Sequence, residues 1–496
     1  MTWWRWPALV GLYLASRLFA LTALPMFLDE RIHLRWAYWI AQGRRLRVPV
    51  LAGRGLSVYM LAGVAPGADD PLLAGRLLTV AIGLVTLVAL YHLTLRLGGD
   101  RRIADLAALF YIVCPFALVY DRMVLTDAFL AAFTALTLLL SVRLVEDPRA
   151  RTGAALGAAL ALGVLSKTTG LVLFGFPLLV LAFLGRERRR ALGPLALAYA
   201  FAGTLVAYPL WLFFRKTDEL AGAIGVREND ASFSGNAAAN VHLAAEWLWT
   251  YWTPGLVILA VLGLALGLAS PARRRAAVLL SLLAVGPTAA FVAVSGIWYP
   301  RYLLFTTVPL LPLAAGGFVG LVSLLTRRAS AHPRRWAVSL LVAALLVAAL
   351  LPALRFDHAL WTDPTRAPFP SLDRFQYVTG WPSGYGSRES VEFLRAERNR
   401  LPEGLVLVTP GPSTTASAVR LLWANDPAVE VRYVDPGEDA PSGSGRRPVF
   451  VVVSLAEGVL LPDHWAGDVT REYASFKPDG SPADALYRAC AAPPCR

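Results

Sequence analysis

The sequence predicts a polytopic α-helical membrane protein of about eleven spans, followed by a small extracytoplasmic α/β domain. Three observations carry that reading. Of 496 residues, 56% are hydrophobic and 16% charged, whereas soluble domains average roughly 45–50% and 25%. The mean hydropathy is +0.53. Long apolar runs recur as far as residue 355, and beyond it the chain turns polar, with many Pro and Gly and short apolar runs of strand length.

A spanning helix needs about 20 mostly apolar residues. The candidate runs are 5–27, 73–97, 102–120, 125–145, 152–166, 170–185, 191–214, 253–270, 276–296, 302–325 and 336–355. The short runs 152–166 and 170–185 read as a tilted pair or a re-entrant hairpin around "SKTTG". The basic stretches "RLGGDRR" (96–102), "RLVEDPRAR" (143–151), "GRERRR" (185–190), "PARRR" (271–275) and "RRASAHPRR" (327–335) share one side if these spans hold. By the positive-inside rule the N-terminus is cytoplasmic in a plasma-membrane protein. Loops 28–72 and 215–252 and the tail 356–496 then lie outside. The net charge of +13 sits in short clusters between apolar runs and accompanies no nucleic-acid-binding motif, so nucleic acid is excluded as a partner.

The domain 1–355 is thus the membrane unit, and 356–496 is large enough for its own core. In the tail, "SRESVEFLRAERNR" (387–400) and "TTASAVRLLWAN" (414–425) have helical spacing. "LVLVTP" (405–410), "VEVRYV" (429–434) and "PVFVVVS" (448–454) read as strands, and the alternation predicts a partly parallel sheet. "PGEDAPSGSGRRP" (436–448) reads as a loop. Cys114 lies in an apolar run as an inert small hydrophobe. Cys490 and Cys495 are spaced for a short disulfide loop if the tail is outside.

The polar residues that break this pattern are the candidates for chemistry. "FLDERIHLRWAYWIAQ" (27–42) places Asp29 and Glu30 where the first run ends. Ile32, Trp36, Trp39 and Ile40 recur at helical spacing, which predicts an amphipathic helix lying in the interface. The two carboxylates then either cap that helix or serve as general base and cation ligand at the membrane surface. In "VYDRMVLTDAFL", Asp121, Arg122 and Asp127 form a second cluster, where Thr126 or Asp127 also suits a helix start. Lys167 lies between two very apolar segments, and Arg301 in "YPRYLL" lies between two spans. Each suits a phosphate, or else an interfacial anchor. Arg17 falls inside the first run and needs a partner within the bundle. His242 and Glu246, with His33 or Glu30, are weak candidates for a divalent metal, the one cofactor these residues leave open. The strong candidates fall on one side of the membrane, whereas a transporter places polar groups at the midplane, for which this chain offers only Arg17 and the Gly-interrupted region 152–170.

At "LDE" (28–30), "DRMVLTDAFL" (121–130), "LSKTTGLVL" (165–173) and "YPRYLL" (299–304) the sequence resembles the GT-C membrane glycosyltransferases. It is most similar to glycosyltransferase family 39, with its protein O-mannosyltransferases and the lipid A aminoarabinose transferase. "FQYVTGWPSGYGSRESVEFLR" (375–395) is similar to the segment after the membrane part in bacterial members. The resemblance implies a GT-C fold, a polyprenyl-phosphate sugar donor, inversion at the anomeric carbon and a hydroxyl acceptor in the cell envelope. It implies Asp29 as catalytic base with Glu30 its partner, Asp127 and Arg122 lining the site, and Lys167, Arg301 and Arg122 toward the donor phosphate. The region "RVPVLAGRGLSVYMLAG" (47–63) departs from the paired prolines of many members, so the acceptor pocket and any metal site are not carried over. The alternatives are a flippase or transporter of lipid-linked sugars and a catalytically inactive envelope scaffold.

Overall fold

The fold comes from a computed structural model that describes residues 5–98, 100–215, 237–296, 298–329, 335–424, 426–442 and 446–490. Loop 215–252 therefore falls largely outside the described residues, as do part of loop 436–448 and Cys495.

The apolar runs fall on helices, several of them broken or ending early. Among the described residues six helices are long and apolar enough to cross a membrane, which makes this a multi-pass membrane protein. The number is eight if two bent pairs each count as one span: Arg101–Val113 with Pro115–Asp121 (60°) and Ala237–Tyr251 with Thr253–Ala269 (103°). Ala150–Ser166 and Thr168–Leu184 are shorter, separated by an extended residue, Lys167. The last long helix, Arg335–Thr362, runs past residue 355.

The first run is not one helix to residue 27. It stops at Leu18, and Ala20 takes a positive φ of 48°. Two guanidinium groups take up the freed carbonyls: Arg122 Nη2 donates to Phe19 O (2.8 Å) and to Ala20 O, and Arg76 Nη1 donates to Leu21 O and Leu24 O (2.9 and 2.8 Å). Cations at a helix C-terminus also match its dipole. The chain can therefore turn early into the helix Leu28–Ala41.

Deep in the bundle Arg17 finds its partner. Its Nη2 lies 3.3 Å from Asp121, both side chains shut off from solvent. The Tyr111 hydroxyl donates to the same carboxylate at 3.0 Å and that of Tyr13 at 3.3 Å. A Cβ on Gly83 would lie 2.2 Å from Tyr13 Oη and 2.6 Å from the Asp121 carboxyl carbon, so only glycine leaves room for this cluster.

The helix expected at this point forms over Leu28–Ala41, but without a free polar face. Arg31 and His33, its polar members, are buried together with Leu34, Trp36, Ala37 and Tyr38. Its apolar side packs with Val48, Val58 and Leu61 of the following segments and with Leu421 of the C-terminal domain. The helix is held between the bundle and the tail.

The small C-terminal domain carries a five-stranded sheet of order β2-β1-β3-β5-β4. The strands are β1 (Leu405–Thr409), β2 (Val429–Tyr433), β3 (Val449–Val453), β4 (Val469–Phe476) and β5 (Pro482–Ala489). The first three are the runs read from sequence, with β1 parallel to both β2 and β3. β4 and β5 form an antiparallel hairpin that joins the sheet at β3. Helices Ser387–Arg400 and Thr414–Leu422 pack on the sheet through Val391, Leu394, Ala418 and Val419.

Candidate active site

Asp29 and Glu30 are adjacent in sequence and separate in role. Glu30 is fully buried. It takes Arg76 in a two-point pair (Nε–Oε1 2.9 Å, Nη2–Oε2 2.7 Å) and accepts from the amides of Phe27 (2.9 Å) and Val124 (2.8 Å). The cap of the Leu28–Ala41 helix is therefore Glu30's work. Its oxygens are saturated, which removes it as a metal ligand. Asp29 is left to face elsewhere: its side chain is 17% exposed and its Oδ2 lies 2.9 Å from Arg301 Nη2.

Arg301 sits in a short 3-10 turn, Pro300–Leu303, after extended Tyr299. The turn aims its guanidinium at Asp29 while Nη1 donates to Gln376 Oε1 (2.8 Å). The Tyr299 ring lies 4.3 Å away. Lys167 is delivered by the break between two helices. Its Nζ lies 2.6 Å from Asp127 Oδ1 and 3.7 Å from the centre of the Tyr302 ring. Asp127, expected at a helix start, is the first residue of Asp127–Glu146, and its carboxylate goes to Lys167.

Sequence reading missed a third cation, Arg54. Gly53, at φ 68°, presses against Thr168, where a Cβ would come within 2.6 Å, and its carbonyl accepts from the Thr168 amide (3.1 Å). That junction places Arg54 beside the helix break. Arg54 Nη1 meets His33 Nε2 at 2.9 Å, and His33 Nδ1 meets Val124 O at 2.8 Å, so the ring is the neutral tautomer with its proton on Nδ1. Burial, helped by Arg54, pulls the His33 pKa down to about 4. The glycine before an arginine was the available signal, lost in a loop without an obvious pattern.

These groups act on one another. Burial pushes the Asp29 carboxyl up, but Arg301, then Arg54, outweigh it and hold the group below the usual carboxylate range. Burial pulls Lys167 down to about 8 despite Asp127. Three cations thus converge with two carboxylates, leaving one positive charge in excess among these five groups. Beneath them Asp373, also missed, takes the hydroxyls of Tyr120 and Tyr251 on one oxygen, and burial raises its carboxyl to about 6.

Arg122 is not brought to this cluster: it points to the end of the first helix, where its Nη2 donates to the carbonyls of Phe19 and Ala20. The metal candidates are not brought together either. Glu30 and His33 are engaged as described, Glu246 accepts from the Ser371 amide (2.9 Å), and His242 is exposed. Among the described residues no three His, Cys, Asp or Glu side chains are grouped to hold a metal.

The profile of the dolichyl-phosphate-mannose-protein mannosyltransferase family matches residues 56–213. Among solved structures, the chain is similar to ArnT from Cupriavidus metallidurans bound to undecaprenyl phosphate, at a TM-score of 0.60 and 15% identity over 97% of each chain. The apo state of the same protein matches at 0.56 and 13%, again over 97% of each chain. The archaeal oligosaccharyltransferase AglB from Archaeoglobus fulgidus, in complex with an inhibitory peptide and a dolichol-phosphate, matches at 0.56 and 11%, over 98% of this chain and 75% of that one. No curated protein matches the sequence. These likenesses show the fold: the chain has the GT-C architecture of membrane glycosyltransferases.

Proposed function

We propose that the chain is an inverting glycosyltransferase that moves a sugar from a polyprenyl-phosphate donor to a hydroxyl acceptor at the outer face of the plasma membrane. The observation that carries the proposal is the convergence of Arg54, Lys167 and Arg301 with Asp29 and Asp127 at one end of a GT-C bundle. The undecaprenyl phosphate and dolichol-phosphate of the similar structures, and the mannosyl donor in the family's description, support the donor class.

In this reading the donor phosphate takes the excess positive charge, with Lys167, Arg301 and Arg54 as its donors. Asp127 holds Lys167 in place. The acceptor hydroxyl sits against Asp29, the more exposed carboxylate. As the acceptor oxygen forms its bond to the anomeric carbon, its proton passes to Asp29 and the bond from that carbon to the phosphate oxygen breaks. The leaving phosphate gains negative charge, which preplaced cations stabilise most in the transition state. Arg301 links the two halves. When the phosphate draws on its donors, the pull on Asp29 weakens and the carboxylate becomes a better base.

The test is transfer by the purified protein in lipid nanodiscs, with polyprenyl-phosphate-linked mannose and aminoarabinose as donors and free polyprenyl phosphate as the readout. A flippase or an inactive scaffold releases none. Release that needs an added hydroxyl acceptor and disappears with Asp29→Asn supports the proposal. Release unchanged by that substitution removes Asp29 as the base.

A further inference from the structure

A second cationic site lies across the same helix. Residues two apart on an α-helix point about 200° from one another, so Arg31 faces away from the Asp29 cluster. It lines a cavity of about 320 Å³ where the chain after the first helix, the start of the Pro71–Gly98 helix and the C-terminal helices Ser387–Arg400 and Thr414–Leu422 meet. Arg31 is 3% exposed, and its three guanidinium nitrogens have no hydrogen-bond partner. The nearby carboxylates are committed elsewhere: Glu457 to the Thr414 amide (2.6 Å), Asp484 to the hydroxyls of Thr415 and Ser454, and Glu30 to Arg76. A buried charge with no direct partner is strongly unfavourable, and folds retain one where something else completes it.

The cavity wall tells what would complete it. Arg388 and Arg395 join Arg31, against Asp70 and Glu392. Asp70 already accepts from the Leu73 amide (3.0 Å). Among the residues that line the cavity positive charge is in excess, and Ser387 adds a hydroxyl. Pro25, Met26, Leu72 and Leu422 make much of the remaining wall apolar, beside the chain that follows the first helix. An anion with an apolar attachment fits both halves of that wall. We propose that this cavity binds the phosphate of an anionic lipid headgroup, with Arg31 as its buried donor and Arg388 and Arg395 at its mouth. The bound lipid would fasten the C-terminal domain to the helix that carries Asp29. Arg388 already donates across this seam to Ala23 O (3.1 Å).

The test needs no activity. The purified full chain in neutral detergent is titrated with phosphatidic acid, with phosphatidylcholine and with inorganic phosphate, and thermal unfolding is followed. Phosphatidic acid is expected to raise Tm while the other two do not. Arg31→Met should raise Tm without lipid, because it removes the unpaired charge, and should weaken the phosphatidic acid response by at least about tenfold. Arg395→Gln should weaken the response with little change in the lipid-free Tm, and it decides the matter if Arg31→Met does not accumulate. Lys167→Ala, in the other cationic cluster, should leave the response intact. Three results would overturn the proposal: an undiminished response in both arginine variants, a response lost with Lys167→Ala instead, or inorganic phosphate acting alone.

Discussion

Two arginine–aspartate pairs in this molecule use the same chemistry under opposite conditions. Arg17 and Asp121 meet inside the bundle with 0% and 1% of their side chains exposed, and two tyrosine hydroxyls fill out the carboxylate. Arg301 and Asp29 meet near its end with 5% and 17% exposed, amid two further cations and one further carboxylate. The first group is closed: charge is balanced and every oxygen of Asp121 is used. The second has surplus charge and an approach from outside. A polar residue in an apolar run therefore signals a site only when its cluster is left unbalanced and reachable.

The largest effect should come from breaking the closed pair. Removing one partner of a buried ion pair costs about 3–5 kcal/mol. Asp121→Ala should sharply reduce the monodisperse protein recovered in detergent, and Gly83→Val should do the same by filling the room that Tyr13 and Asp121 share. Glu30→Gln belongs with these, since it removes the charge that Arg76 needs. The open pair should behave otherwise. Asp29→Asn should leave recovery and Tm near the parent while transfer slows by about 10²–10⁴-fold, the usual worth of a general base. If Asp29→Asn instead loses stability as Glu30→Gln does, the two pairs are alike and the comparison fails.

Smaller effects sharpen the contrast. Lys167→Ala and Arg301→Ala should each raise the donor KM by about ten- to a hundredfold, from the loss of charged hydrogen bonds worth about 1.5–3 kcal/mol, while Arg122→Ala should affect stability more than KM. The smallest signal is in pH. Lys167 has a depressed pKa of about 8, so its charge is present below that value and is lost as pH rises through it. Donor KM should climb above about pH 8 in the parent and stay flat over the same range in Lys167→Arg. A parallel climb in that variant would assign the titration to another group.

Much of this was legible from composition and period. Apolar runs gave the helices, and the alternation of Val-rich runs with helical spacing gave β1 to β3. β4 and β5 were not legible because "VTREYASF" and "PADALYRA" mix charge with small residues and carry no run of strand formers. Their burial comes from pairing with β3 and with each other. Asp29, Asp127, Lys167 and Arg301 stood out as charges in apolar surroundings, and the fold brings them together. Arg54 did not stand out because the short, glycine-broken stretch around it matches neither a span nor a motif, and Gln376 sits in a polar stretch where an amide is ordinary. The division of labour between Asp29 and Glu30 was beyond sequence altogether. It depends on Arg76, 46 residues away, reaching the second carboxylate and not the first.

The pair at the centre of the site joins residues 272 positions apart, and the amide that steadies Arg301 comes later still, from Gln376. A nascent chain of three hundred residues would hold the Asp29 carboxylate without the guanidinium that faces it. Only after the last long helix has been made, and the segment beyond it has folded back, are all these parts in place. Order of synthesis thus acts as a safety catch: the proposed donor site, begun by Arg54 and Lys167, is completed only when Arg301 and Gln376 arrive, in a chain already committed to the membrane.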